Sequence, residues 1–226
     1  MKDKLLRGLV YGLGLIILAF GLVLNTKTGL GTAPLVSTAF VISQLTGHAF
    51  ANVTFAVYGV FVLIELALHL ARRDGRRMVN DLLQLPFALA FTRFMGLFDR
   101  LLPNLAVDRA GTLWGTMWMR VLVLLVGIVL IGLGACLSVR MRLIPNPGDG
   151  VVLAISDFTG QKLGLVKNAF DLLSVAVACA IGLIARGHLI GVGIGTALSM
   201  LGVGRVMDRV GRRLAPLIER LVPQRQ

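Results

Sequence analysis

The chain contains one internal repeat, which limits its folds more than any other feature. Residues 7–73 align with residues 120–186 without a gap, and eighteen of the 67 positions are identical. Matches of Leu, Val and Gly arise readily in an apolar composition, but Pro, Ser, Thr-Gly and Arg matches in the same order do not. The matched pairs include Arg7/Arg120, Gly14/Gly127, Gly21/Gly134, Pro34/Pro147, Ser43/Ser156, Thr46-Gly47/Thr159-Gly160, Ala56/Ala169 and Arg73/Arg186.

Hydropathy places this repeat in a membrane. Hydrophobic residues make up 56% of the chain and the mean hydropathy is +0.84, far above an ordinary soluble domain. Six stretches approach the roughly 20 apolar residues needed to cross the ~30 Å hydrocarbon core. They are residues 8–25, 50–71, 82–98, 118–139, 165–185 and 188–207.

We therefore predict an all-α membrane protein with six transmembrane helices. The helices form two three-helix repeats, about 5–101 and about 118–210, within one membrane domain of residues 1–210. A repeat with an odd number of crossings inverts its second copy. Inverted repeats are typical of transporters and channels, whose sites lie where the two halves meet.

The distribution of charge predicts the topology. The net charge is +12, and the positive residues cluster at the ends of apolar stretches, as in 72–77 and in the tail 211–226. This pattern favours cytoplasmic loops and anionic inner-leaflet lipid over nucleic acid as the partner. We expect a bacterial-type inner (cell) membrane, with both termini cytoplasmic and Trp114 outside.

Two segments, 29–47 and 145–160, are too short to cross and each follows a glycine- and proline-marked break. We predict a re-entrant half-helix in each repeat, beginning near Pro34 and Pro147. Non-helical backbone at this depth must be buried in protein or face water. The N-termini of the two half-helices, with their free N–H groups, could hold an anion or a polar solute between them. The alternative is that they are structural turns.

Candidate solute-binding residues are polar or helix-starting residues in and beside these breaks. Asp149 stands at the predicted N-cap or first turn, and Asp171 lies deep in a predicted span, where a charge is functional by default unless it pairs with Lys167. Glu65 lies about two turns from the basic turn and can extend toward Arg72 or Arg73, so we expect it to matter less. The full candidate set is Asn25, Thr32, Pro34, Ser43, Asn146, Pro147, Asp149, Ser156, Asn168 and Asp171.

Small residues also suggest a packing surface. Gly187, Gly191 and Gly195 recur every four residues in the predicted sixth span, a spacing that lets helices approach closely and leaves a homo-oligomer open. We find no nucleophile–base pair, no paired catalytic carboxylates and no nucleotide-binding motif, so we expect no enzyme activity and no cofactor. Three scattered histidines and two cysteines within apolar stretches predict no metal site.

Three short motifs resemble those of the YczE-like membrane proteins, which are related in layout to the YitT family. They are Gly29-Leu-Gly-Thr-Ala-Pro34, Pro147-Gly-Asp149-Gly150 and Gly193-Ile-Gly195-Thr196. The resemblance covers about residues 5–210. Leu35 and Val36 stand where that family usually has an aromatic residue and an acid, and an acid in the span after its second break corresponds to Asp171. The resemblance implies a fold and a membrane location, and no substrate.

The sequence thus predicts a transporter or channel for a small solute, with its site between the half-helices. Two other functions remain open. One is an accessory or scaffold protein that supports another membrane complex without transporting. The other is a substrate-capture subunit of a separate ATPase-driven transporter.

Overall fold

The regular structure is helical over the residues that the computed structural model describes, 2–141 and 143–221. The helices are α1 Lys2–Lys27, α2 Pro34–Thr46, α3 Phe50–Ala71, α4 Gly75–Leu101, α5 Met117–Arg140, α6 Pro147–Thr159, α7 Leu163–Arg186 and α8 Ile194–Leu221, with a 3-10 turn at Leu113–Gly115. Arg142 and the end of the predicted tail, residues 222–226, lie outside the described residues.

Four of these helices are long and apolar enough to cross a membrane. They are Leu5–Lys27, Phe50–Ala71, Met117–Arg140 and Leu163–Arg186. More than half of each apolar segment lies on the surface of the fold, whereas Asn25, Thr54 and Glu65 are buried. Apolar side chains outside and polar ones inside suit a lipid surrounding. The predicted all-helical, membrane-embedded class is confirmed, with four helices able to span the bilayer.

The two remaining predicted spans, 82–98 and 188–207, are not among these four helices. The predicted span 82–98 lies inside α4, which contains Pro86. The predicted span 188–207 is wrong at its start, because α8 begins only at Ile194 and Gly191 has a φ of +67°. Glycine scores as weakly apolar but does not hold a helix, so hydropathy alone misplaced this boundary. Helix α8 then runs without a break past residue 210, where we expected a separate tail to begin.

The two short helices begin and end as predicted. Pro34 and Pro147 occupy the first helical turn, where the missing proline N–H costs no hydrogen bond. Gly47 and Gly160 end the helices in the left-handed conformation, with φ of +72° and +70°. Each helix has 13 residues and rises only about 20 Å, less than the ~30 Å hydrocarbon core.

Helices α1 and α5 pack antiparallel with their backbones in contact. Gly14 lies against Gly134, and Gly21 lies against Gly127. A methyl group added at Gly134 would stand 2.5 Å from Leu18 N and 2.7 Å from the Gly14 carbonyl oxygen. Only glycine at these positions lets the two backbones approach so closely.

Contacts between the repeats come in exchanged pairs. Arg7 Nη2 donates to the Met141 carbonyl at 2.7 Å, and its matched residue Arg120 donates through Nε to the Thr28 carbonyl at 2.7 Å. Thr28 and Met141 are themselves matched positions. Helix α2 packs on α7 in the same way that its counterpart α6 packs on α3. Matched positions in the two halves of the sequence thus make equivalent contacts.

We expect Gly134→Ala to destabilise the fold. The added methyl meets backbone atoms of α1 that cannot rotate away, and overpacking of this kind costs about 1–3 kcal/mol. The readout is the melting temperature of the purified protein in detergent. The matched control is Gly12→Ala, since nothing lies within 4 Å of a methyl group there. Equal melting temperatures for the two variants would contradict the close backbone packing.

Candidate functional site

The N-terminal ends of the two short helices meet inside the fold. Leu35, in the first turn of α2, packs against Gly148, in the first turn of α6, so closely that a methyl group at Gly148 would overlap the Leu35 side chain. Leu35 and Gly148 are matched positions of the repeat. The contact therefore lies where the two copies face each other, and it brings both helix N-termini to one place.

A cavity of about 200 Å³ opens beside this contact. This volume would hold roughly six or seven waters at the liquid's ~30 Å³ each. Apolar side chains from α1, α5 and α8, such as Leu18, Ile131 and Val203, form one wall. The polar lining groups are Tyr58, Asn146, Asp149, Lys167, Asn168, Asp171 and Ser199. Apolar walls with a few convergent polar groups are typical of a small-molecule site.

The charged groups of the cavity are unevenly paired. Asp171 Oδ1 accepts a hydrogen bond from Lys167 Nζ at 2.6 Å. Asp149 is in no ion pair within the described part of the chain. Asn146, not Asp149, is the N-cap of α6, and its side chain accepts from Gly148 N at 3.4 Å. The Asp149 carboxyl group is therefore free of a capping role and lies in the first turn of α6, at the positive end of the helix.

Two buried polar atoms at this site have no partner. Tyr58 is 1% exposed, and its hydroxyl makes no hydrogen bond of normal geometry to the described residues. Asn25 donates through Nδ2 to Ser199 Oγ at 2.7 Å, but its Oδ1 accepts nothing from the residues described. Buried polar groups are normally satisfied, so these atoms indicate a place where water or a polar solute binds.

The structure brings together about half of the predicted site residues. Pro34, Asn146, Asp149, Asn168 and Asp171 line the cavity, and Asn25 joins it through Ser199. Pro147 begins α6 directly beside Asn146.

Three predicted residues lie outside the cavity, where they form hydrogen bonds to backbone carbonyl groups. Thr32 bonds through its N and Oγ1 to the Gly191 carbonyl, at 2.9 and 3.1 Å. Ser43 Oγ donates to the His48 carbonyl at 3.0 Å, and Ser156 Oγ donates to the Gln161 carbonyl at 2.8 Å. The two serines match because each secures the C-terminal turn of its short helix.

Tyr58, Lys167 and Ser199 were not among the predicted site residues. The repeat alignment contains a signal for Tyr58, because this residue is the matched position of Asp171. Lys167 had been considered only as an ion-pair partner. Ser199 carries no sequence signal, because a single serine in an apolar helix is ordinary.

The predicted packing stripe of glycines is wrong. Gly187 ends α7 with a φ of +71°, Gly191 lies in the loop, and only Gly195 is helical. The loop instead packs on the first break: Gly195 N donates to the Leu30 carbonyl at 2.8 Å. Gly191 and Gly195 therefore join two chain breaks within one molecule, whereas Gly187 only ends α7.

Nothing in the described residues points to metal chemistry. They contain no group of three or more His, Cys, Asp or Glu side chains that could hold an ion. Cys136 is buried, Cys179 is half-buried, and neither forms a disulfide.

Four helices long and apolar enough to cross a bilayer indicate a membrane-embedded protein. By its sequence the chain belongs to the DUF6198 family, a family of unknown function whose model matches residues 5–212. No curated protein and no solved structure matches it. The resemblance to YczE-like proteins remains a prediction.

We expect Gly148→Ala to destabilise the meeting of the two short helices, because the methyl group overlaps Leu35. Adding Leu35→Ala to this variant should recover most of the lost melting temperature, since the smaller side chain makes room. Residues in contact show such non-additive effects. Additive losses in the double variant would contradict the contact.

Proposed function

We propose that this protein is a six-span inner-membrane transporter or channel for a small polar solute, with two inverted repeats and its site in the cavity between α2 and α6. The observation that carries the proposal is the unpaired Asp149 carboxylate beside the unpartnered Tyr58 hydroxyl, at the point where two helix N-termini meet. If the two breaks were only structural turns, neither the cavity nor its polar groups without hydrogen-bond partners would be needed.

Exposed apolar side chains support α4 and α8 as the fifth and sixth spans. Leu82, Phe94 and Leu97 of α4 are each more than a third exposed, as are Ile194 and Leu201 of α8. A lipid-facing surface accounts for them better than water does. Trp118 is 86% exposed at the start of α5, as a tryptophan anchoring a helix at the membrane interface would be.

The antiparallel α1–α5 pair supports the inverted arrangement. A two-fold axis that exchanges two antiparallel helices stands perpendicular to both. If α1 and α5 cross the bilayer, this axis lies in the membrane plane, and α2 and α6 then enter from opposite faces. This is the layout in which transporters bind solutes near the bilayer midplane.

The charges favour a solute with a positive or hydrogen-bond-donating group. Lys167 pairs with Asp171, whereas Asp149 has no paired cation among the described residues. An anion, one of the two solute classes suggested by the helix N-termini, would face this carboxylate. An amine or a small polar solute would pair with Asp149 instead.

We expect Asp149→Asn and Asp171→Asn to impair binding and transport. A hydrogen bond to a charged group is worth about 1.5–3 kcal/mol, so the affinity should fall by about tenfold to a hundredfold. A thermal-shift screen in detergent identifies a solute, and flux into proteoliposomes of the purified protein then measures transport. Asp208→Asn, an exposed carboxylate on α8, is the control. If both cavity variants transport as fast as the wild type, the proposed site in the cavity is wrong. If the wild type binds a solute but shows no flux, a capture or accessory role is favoured.

We expect both termini and the 72–77 turn to be cytoplasmic, as the positive residues predict. The test is labelling of single cysteines at Gly75, Gly111 and Arg212, with Cys136 and Cys179 replaced by Ala. An impermeant thiol reagent applied to intact cells should label position 111 alone. Labelling of position 75 from outside would overturn this topology.

A further inference from the structure

A second polar cluster lies between α3 and α4, outside the solute cavity. Glu65 and Gln84 are each 1% exposed. Gln84 Nε2 donates to Glu65 Oε2 at 2.6 Å. The sequence expectation that Glu65 extends toward the arginines of the basic turn is therefore wrong: its side chain turns inward, to α4.

This pair leaves two buried oxygens without a hydrogen bond. Glu65 Oε1 and Gln84 Oε1 both lack a partner among the described residues. The amide oxygen accepts only, and so does an ionised carboxylate. Two unsatisfied acceptors in one buried place are costly, at about 1–3 kcal/mol each.

The absence of a side chain at Gly150 leaves the space that these oxygens occupy. A Cβ at Gly150 would stand 2.7 Å from both carboxyl oxygens of Glu65 and 2.9 Å from Gln84 Oε1. Both side chains thus press against the backbone of α6 at the same point. The two unsatisfied acceptors face one small volume.

The surrounding charges do not compensate an ionised Glu65. His69 Nδ1 pairs with Asp81 Oδ2 at 2.6 Å, and Arg77 pairs with Asp74 and Asp157. On the α6 side, Asp149 is the residue next to Gly150. The His69 ring and the Arg77 guanidinium are thus both engaged with other carboxylates. A bare carboxylate inside a membrane helix costs at least ~2.5 kcal/mol.

We propose that Glu65 is a proton-binding site. A proton on Glu65 Oε1 donates to Gln84 Oε1, while Oε2 accepts from Gln84 Nε2, so that acid and amide close a hydrogen-bonded ring. Only the O–H bond breaks on release, and the proton leaves to water. A divalent cation such as Ca²⁺ or Mg²⁺ takes six or more oxygen ligands, and this cluster supplies far fewer.

The route for the proton is a cavity of about 290 Å³ that Glu65 and Gln84 help to line. His69, Asp81, Arg77 and Asp157 line it as well, and Arg77 is about half exposed. Release of the proton places a negative charge against α6, one residue from Asp149. The effect of this charge on transport rests on the proposed function, whereas the proton site itself does not.

Infrared difference spectroscopy of the purified protein, recorded between acidic and alkaline pH, tests the proton directly. The wild type should show the C=O band of a buried protonated carboxyl at pH 7. Glu65→Gln should lack this band, and Asp208→Asn should keep it. The same band in Glu65→Gln, or no such band in the wild type, would overturn the assignment.

Two further measurements separate the alternatives. If Glu65→Gln fails to fold, Gln84→Met keeps the carboxyl and removes its partner, which should shift the band to higher wavenumber; an unmoved band would place the proton elsewhere.

Sodium chloride, compared with choline chloride, should leave the melting temperature of the wild type unchanged. A rise with sodium in the wild type that Gln84→Met loses would show a metal cation in the proton's place. If the wild type shows the carboxyl band but carries no solute into proteoliposomes, only the transport proposal is refuted.

Discussion

The close contact of α1 with α5 is the interaction on which the rest of the fold depends. Two antiparallel helices whose backbones touch through Gly14, Gly21, Gly127 and Gly134 fix how one repeat faces the other. In lipid there is little hydrophobic gain in bringing two helices together, so close packing and hydrogen bonds must do it. The arginine clamps at both ends of this pair hold the two breaks in place, because they bond to the chain directly after each helix.

The buried polar groups do not follow the sequence repeat. Asp149 and Asp171 correspond to Val36 and Tyr58 in the first repeat. Glu65 corresponds to Ala178, which is fully buried. The backbone must repeat to build the scaffold, but side-chain chemistry need not. The cavity beside the Leu35–Gly148 contact takes its carboxyl groups from residues 120–186, whereas Glu65 of the acid–amide pair lies in residues 7–73.

The sequence predicted the elements better than the side-chain environments. A glycine- and proline-marked break before a short apolar segment is a local signal, and it located the starts of α2 and α6. The inward turn of Glu65 could not be predicted, because it depends on Gly150 leaving room across a helix–helix contact. The glycine loop before α8 was missed for a related reason. Its conformation is set by hydrogen bonds to the first break, far away in the chain.

The contact of Leu35 with Gly148 has a consequence for how such a molecule can be assembled. In a pair of identical half-length chains, a residue on the two-fold axis meets its own copy. A leucine there would collide with a leucine, and a glycine would leave a hole beside a glycine. A large residue opposite an absent side chain requires two different halves. The Leu35–Gly148 junction therefore requires two halves that differ at this position, and a symmetric dimer of either half could not form it.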